Sequence, residues 1–275
     1  MSREVLLMVA PNGARRTKAD HPALPIAPRE LAAEAAACRE AGAAAIHLHV
    51  RDAAGAHSLE PALYAPAIEA VRAAAPDMAI QITTEAVGRY GPAEQMACVR
   101  ALVPQGASLA LSELAPDDAE ETLMRLRGFL RWMRVMEVWP QFILYSPQEA
   151  ARFAHLQKTG VIPQKRPFVL FVLGRYGQEA PPSPQEAIAD FTAALGEDAE
   201  WAVCAFGPAE ARAALAAARA GGHVRIGFEN NMMLPGGGRA ASNAELVAAT
   251  AELLRAEGFA PMSPAALRRL MAATT

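Results

Sequence analysis

The feature that most constrains this chain is an eightfold alternation. Short apolar runs over 4–10, 44–50, 78–84, 106–112, 139–145, 167–173, 201–206 and 223–229 alternate with Ala-rich stretches. Short apolar runs bounded by turn residues fit buried strands. The stretches near 28–42, 61–74, 92–103, 117–135, 147–159, 184–195, 208–220 and 243–257 carry helical periodicity. Eight strand–helix units in 275 residues predict an α/β fold, a single (β/α)8 TIM barrel over 1–275 with a C-terminal helical extension at about 261–273. A doubly wound open sheet is the runner-up. It favours a Gly-rich phosphate loop after the first strand, and Pro11-Asn12-Gly13-Ala14 is not one.

The helix starts share a signature. Gly91-Pro92-Ala93-Glu94, Ser146-Pro147-Gln148-Glu149, Ser183-Pro184-Gln185-Glu186 and Gly207-Pro208-Ala209-Glu210 each place Pro at the first helical position and Glu two residues on. Pro is tolerated there because its missing N–H has no intrahelical partner anyway. Ser242-Asn243-Ala244-Glu245 reads as a fifth start. These are read as structural signals with no other role.

Composition narrows the function classes. Hydrophobic residues make up 52% and charged residues 20%, enough for a large core and against disorder. A net charge of −3 disfavours nucleic-acid binding and a polybasic membrane anchor. Cys38, Cys98 and Cys204 lie far apart, with neither disulfide-framework nor zinc-module spacing. The apolar run before Pro11 is too short for a signal sequence or a membrane span. A cytoplasmic protein is therefore the expectation.

Polar residues stand where strands should be apolar. Side chains alternate along a strand, so Ala45, His47, His49 and Arg51 share one face and Ile46, Leu48 and Val50 the other. In a barrel the histidine face points inward and leads to the C-terminal rim, where barrel active sites lie. Two His at i, i+2 can converge on one metal ion, or simply be hydrogen-bonded interior residues. The eighth strand repeats the pattern with His223, Arg225, Gly227 and Glu229. Glu229 is a natural third ligand, and a His2Glu set with open positions is the form of a catalytic metal site. An ion pair between Arg225 and Glu229 is the plain alternative. Thr83 with Gln81 and Glu85, and Ser108 with Ser112, bring small hydroxyls to strand ends, where they can orient a substrate oxygen. Arg51, on the histidine face, is read as a substrate-binding residue. His21 and His57 fall in loops near the rim and His155 in a helix, none with metal spacing.

His47-Leu48-His49-Val50-Arg51-Asp52 resembles the HLHVRD motif of the β-keto acid cleavage enzymes, whose founding activity is 3-keto-5-aminohexanoate cleavage. Asp20-His21-Pro22-Ala23-Leu24-Pro25, Gln81-Ile82-Thr83-Thr84, Phe171-Val172-Leu173-Gly174, the run Gly221 to Glu229 and Ser242 to Val247 resemble it in the same order, from near residue 8 to about 258. The resemblance implies one divalent metal, usually zinc, on His47, His49 and Glu229. It implies a β-keto acid and acetyl-CoA as substrates, acetoacetate and a new acyl-CoA as products, and a homo-oligomer. An arginine matching Arg225 would orient the acid–base chemistry and offset negative charge.

The departures bear on mechanism. The family's Glu-Asp-Asn, whose Asp is the catalytic base, reads Glu229-Asn230-Asn231 here, and an amide at Asn230 cannot take up a proton. The first loop's Glu is replaced within Asn12-Gly13-Ala14-Arg15-Arg16, and the usual TGG reads Thr84-Glu85-Ala86. The founding amino-keto acid is thus not the expected substrate. Glu85 becomes the first candidate for the base, with Asp52 and Glu113 as fallbacks; Glu113 has the wrong strand parity unless the chain bends. Arg15, Arg16, Lys18 and Arg239 are candidates to meet CoA phosphates. A metal-dependent aldolase or isomerase without CoA, and a non-catalytic barrel that binds a metal and a small acid, are the alternatives.

Overall fold

A computed structural model describes residues 2–175 and 180–275. Among the described residues eight parallel strands close a barrel: β1 (Leu7–Val9), β2 (Ala45–Leu48), β3 (Ala79–Ile82), β4 (Gly106–Ala110), β5 (Trp139–Leu144), β6 (Phe168–Leu173), β7 (Glu200–Ala205) and β8 (His223–Ile226). Each pairs with its neighbours in sequence, and β8 closes on β1 with Arg225 opposite Met8. The outer helices are α1 (Pro28–Ala41), α2 (Pro61–Ala74), α3 (Pro92–Leu102), α4 (Glu120–Val135), α5 (Pro147–Lys158), α6 (Pro184–Leu195), α7 (Glu210–Arg219) and α8 (Asn243–Ala256), followed by α9 (Pro264–Thr274).

Strand alternation sorts the core into two layers. Ile46, Leu48, Val224 and Ile226 pack outward under the helices. Met8, Ala45, Leu170 and Cys204 fill the barrel axis. Helix α9 brings Leu267 and Met271 onto that axial cluster, and Trp139 Nε1 donates to Thr274 Oγ1 at 2.9 Å. That plug closes the end of the barrel opposite the strand C-termini. No described helix is long and apolar enough to cross a membrane.

Three of the predicted strands that end early shape the mouth. The run 44–50 stops at Leu48; Val50–Arg51 then pairs antiparallel with His57–Ser58 beyond the C-terminal end of β2. The run 106–112 stops at Ala110 and coils into a short helix, Leu111–Leu114. The run 223–229 stops at Ile226 because Gly227 turns to φ +132°. A Cβ on Gly227 would lie 2.5 Å from the carbonyl oxygen of Ala10. Glycine is therefore required for the turn to lie against the end of β1.

Candidate metal centre and active site

His47 and His49 project from the end of β2 into the axis, at 1% and 0% exposure. Their Nε2 atoms lie 3.1 Å apart. Glu229, from the turn after β8, brings Oε2 to 3.4 Å from His49 Nε2 and 3.8 Å from His47 Nε2. These three donors all lie within 4.8 Å of one another, on three buried side chains.

The hydrogen bonding around them sets the direction of each donor. Gln81 Oε1 lies 2.8 Å from His47 Nδ1. An amide oxygen only accepts, so the proton sits on Nδ1 and the Nε2 lone pair faces the centre. Glu229 Oε2 is buried and has no hydrogen-bond partner among the described residues. A buried carboxylate oxygen left so beside two imidazole nitrogens is costly unless a cation meets it. Two imidazoles and one carboxylate suit a divalent transition metal with open positions. The residues present therefore fit the ion.

Arg225 Nη2 donates to Glu229 Oε1 at 2.9 Å and to Asn230 Oδ1 at 3.3 Å. The ion pair with Arg225 forms through one oxygen of Glu229, and the other oxygen still faces the histidines. Burial opposes the charge on Glu229, but Arg225, then His49 and His47, hold its carboxyl far below the usual range. Burial pushes His47 down to about 3 despite Glu229, so it is neutral, the form a metal ligand needs.

A cavity of about 330 Å³ opens over this centre. Thr83, Glu85, Ser108 and Arg225 line it. Thr83 Oγ1 accepts from the Glu85 N–H at 2.9 Å, which turns the Glu85 side chain inward. The Glu85 carboxylate spans two bases: Oε2 is 4.0 Å from His49 Nδ1 and Oε1 is 4.0 Å from Arg15 Nε. Burial, reinforced by Glu229 and opposed by His49, raises the Glu85 carboxyl above its usual range. His57 donates from Nε2 to the Glu85 carbonyl at 2.9 Å and so holds its backbone.

Other expectations need correction. Arg51 does not line the cavity. Its guanidinium donates to the carbonyls of Gly13 (2.5 Å), Arg16 (2.8 Å) and Gly55 (3.1 Å), so it ties the loop after β1 to the ribbon. The chain's escape from the strand after Leu48 turns Arg51 off the histidine face. Asn230 is fully buried behind Arg225 and does not reach the cavity wall. Asp52 accepts from the N–H groups of Ala54 and Ala56 and shapes its own loop. His223 lies at the far end of the axis, where Nδ1 accepts from the Leu6 N–H at 3.1 Å. His21 is spent on the Ala240 carbonyl. Lys18 pairs with Glu30 at 2.9 Å, and Arg239 bonds the Asp20 carbonyl, both away from the wall.

Glu113 is on the wall after all, because the chain does bend. Its Oε2 accepts from Gln95 Nε2 (2.7 Å) and the Ala86 N–H (3.0 Å). Leu111 and Leu114, three apart and both buried, are the sequence signal for that helical turn. Arg15, Tyr145 and Arg175 also reach the wall. Tyr145 and Arg175 escape the sequence reading because a rim position depends on how neighbouring loops fold back, which carries no local pattern.

Comparison with known proteins agrees with this geometry. A sequence profile of the beta-keto acid cleavage enzyme family matches residues 4–272. A "3-keto-5-aminohexanoate cleavage enzyme" of Fusobacterium nucleatum is 30% identical over 98% of both chains. A "3-oxoadipate:acetyl-CoA acetyltransferase" of Cupriavidus necator is 29% identical over 98% of this chain and 95% of that protein. The barrel superposes on apo ObcA with a TM-score of 0.71 at 17% identity, over 91% of this chain and 66% of that one. A profile match over nearly the whole length, a relative that matches end to end and a barrel with two inward histidines below one carboxylate lead to one conclusion: the chain belongs to the beta-keto acid cleavage enzyme family.

Proposed function

We propose that this chain is a zinc-dependent acyltransferase. It takes a β-keto acid, R–CO–CH2–COO⁻, and acetyl-CoA, and returns acetoacetate and R–CO–CoA. The carrying observation is Glu229 Oε2, buried and unpartnered among the described residues, 3.4 Å and 3.8 Å from the two histidine Nε2 atoms at the floor of the cavity. The name of the Cupriavidus necator relative, which couples 3-oxoadipate to acetyl-CoA, supports the same reaction. His47, His49 and Glu229 would hold the zinc ion, which when bound supplies Lewis-acid polarisation of the keto acid's oxygens.

The chain's own residues do the rest. Thr83, just past β3, and Ser108, within β4, present hydroxyls to the cavity, where they orient the substrate oxygens. Glu85 takes the proton from C2 of the keto acid, because Asn230 cannot. A carboxyl raised by burial is a better base near neutral pH than an exposed one. The C2 carbon then attacks the acetyl thioester and expels the CoA thiolate. The thiolate attacks the R–CO carbonyl, the old C–C bond breaks, and acetoacetate leaves with the proton returned from Glu85. Arg225 offsets the negative charge that develops in both additions, from a site where water is excluded. The first loop, where the resemblance implies an acid, instead brings Arg15 to the wall, so an amino group is disfavoured there and the founding substrate with it.

The test incubates zinc-loaded protein with acetyl-CoA and a panel of β-keto acids whose R groups are neutral, anionic or cationic, and reads acetoacetate release. Turnover with a non-cationic member, lost on chelation and recovered on adding zinc, is expected. Release without acetyl-CoA would favour a CoA-free cleavage instead; silence across the panel would sink the proposal.

A further inference from the structure

The carboxylate of Glu229 sits on a turn, not on a strand, so its aim depends on the backbone from Gly227 to Glu229. Three consecutive N–H groups of that turn are taken by three different elements. Gly227 N donates to Glu210 Oε1 at 3.1 Å, Phe228 N to Asn243 Oδ1 at 2.7 Å, and Glu229 N to the Ala10 carbonyl at 3.1 Å. Glu210 and Asn243 are the first residues of α7 and α8, and they are 3% and 0% exposed. Each side chain uses its second polar atom as well: Glu210 Oε2 accepts from Asn231 Nδ2 at 3.0 Å, and Asn243 Nδ2 donates to the Pro11 carbonyl at 3.2 Å.

Other helices of the molecule show what is unusual about Glu210. The glutamates in matching positions fold back on their own helix starts. Glu94 accepts from the Gly91 N–H at 2.8 Å, Glu149 from Tyr145 N–H at 3.0 Å, and Glu245 from Ala241 N–H at 2.6 Å. Glu210 comes from the same signature, yet it leaves its helix uncapped and turns inward to the Glu229 turn. Burying a carboxyl costs stability unless its bonds are needed there, and burial raises this one to about 8.

We propose that Glu210 and Asn243 are positioning residues that aim Glu229 Oε2 at His47 and His49, and so set the affinity of the centre for its metal. The proposal rests on the reading of those three residues as a zinc site. Neither residue touches the ion or the substrate; both act through the turn.

The experiment titrates zinc against a chromophoric chelator in the wild type, Glu210→Ala, Glu210→Gln, Asn243→Ala and Glu94→Ala, with thermal unfolding of each metal-free protein alongside. Glu210→Ala and Asn243→Ala should bind zinc roughly 10–100-fold more weakly, the usual effect of losing a residue that supports a metal ligand. Glu210→Gln should fall between them and wild type, since one oxygen can still accept from Gly227. Glu94→Ala, which loses only a helix cap, should unfold earlier with unchanged zinc affinity. Wild-type zinc affinity in a folded Glu210 or Asn243 variant, with only the unfolding temperature lowered, would overturn the proposal. If Glu210→Ala fails to fold, Glu210→Gln and Asn243→Ala decide it. A wild type that binds no zinc would defeat the metal site and this proposal together; a wild type that binds, with variants that match it, defeats this proposal alone.

Discussion

Arg225 donates from Nη2 to Oε1 of Glu229 at 2.9 Å, while Oε2 of the same carboxylate faces two histidines. The arginine keeps Glu229 ionised in a place where burial alone would neutralise it. It also holds the carboxylate plane, so the free oxygen points at His49 and His47. Charge state and direction therefore come from one contact.

Breaking that contact should be costly in two separable ways. Arg225→Ala leaves a buried carboxylate unpaired, and the metal-free protein should lose about 3–5 kcal/mol in urea unfolding. Arg225→Lys keeps the charge but not the planar fork that reaches both Glu229 and Asn230. It should fold, and its turnover should drop by about 10²-fold or more. A Lys variant at wild-type turnover would show that the guanidinium has no part in the chemistry.

Glu85→Gln should lower kcat by about 10²–10⁴-fold while zinc remains bound, as expected for a lost proton acceptor. Asn230→Asp tests the same point from the other side. Its new carboxylate would meet Arg225 at 3.3 Å, where the amide oxygen now sits. Buried behind Arg225 and off the cavity wall, it should restore no rate in the Glu85→Gln background; recovery there would show that position 230 reaches the substrate after all. Steady-state rates and metal content of the two single variants and the double variant check both expectations.

His223 offers a clean pH probe, far from the metal centre. Burial pushes it from 6.5 to about 4. Its unfolded form therefore binds a proton between about pH 6.5 and 4 that the folded form refuses. By linkage this residue costs nothing above about pH 6.5 and progressively destabilises the fold as pH falls toward 4. Replacing it with Gln should lower stability by a constant amount at neutral pH, from the bond lost to Leu6 N–H. Between pH 7.5 and 5 the variant should then lose about 1–2 kcal/mol less than wild type. Urea titrations at the two pH values measure the difference; parallel losses would refute it.

Gly227→Ala should be among the most damaging small substitutions in the protein. Its φ of +132° disfavours any side chain, and the new Cβ would press to 2.5 Å on the Ala10 carbonyl. The turn must shift, taking Glu229 with it. We expect a loss of more than about 2 kcal/mol in unfolding free energy together with weaker zinc binding. Wild-type zinc affinity in a folded Gly227→Ala protein would mean that the aim of Glu229 tolerates movement of its backbone.

Some of the site was legible before any coordinates. Two histidines separated by one leucine must share a strand face, and an apolar layer of Ile46, Leu48 and Val50 leaves them only the barrel interior. Arg225 followed from the same parity on β8. Glu229 was legible for a reason the structure revises: alternation counts it as a strand residue, but the strand ends at Ile226 and a glycine turn returns the carboxylate to the axis. Arg51 shows the converse. Its parity matches that of the histidines, yet the chain leaves the barrel after Leu48 and the side chain follows it to the loop.

What the sequence determined by itself is what repeats along it. The eight apolar runs, the Pro-led helix starts and the period-two polar positions are local patterns, and short-range sterics and burial translate them directly into strands, helices and inward faces. What only the tertiary structure decided is where the repeats stop. The bend that brings Glu113 to the wall, the turn of Glu210 away from its own helix and the split duty of Glu229 between Arg225 and the histidines depend on groups distant in sequence. Those contacts are chosen by which buried polar atoms can satisfy one another once the barrel has closed, and a linear pattern holds no record of that choice.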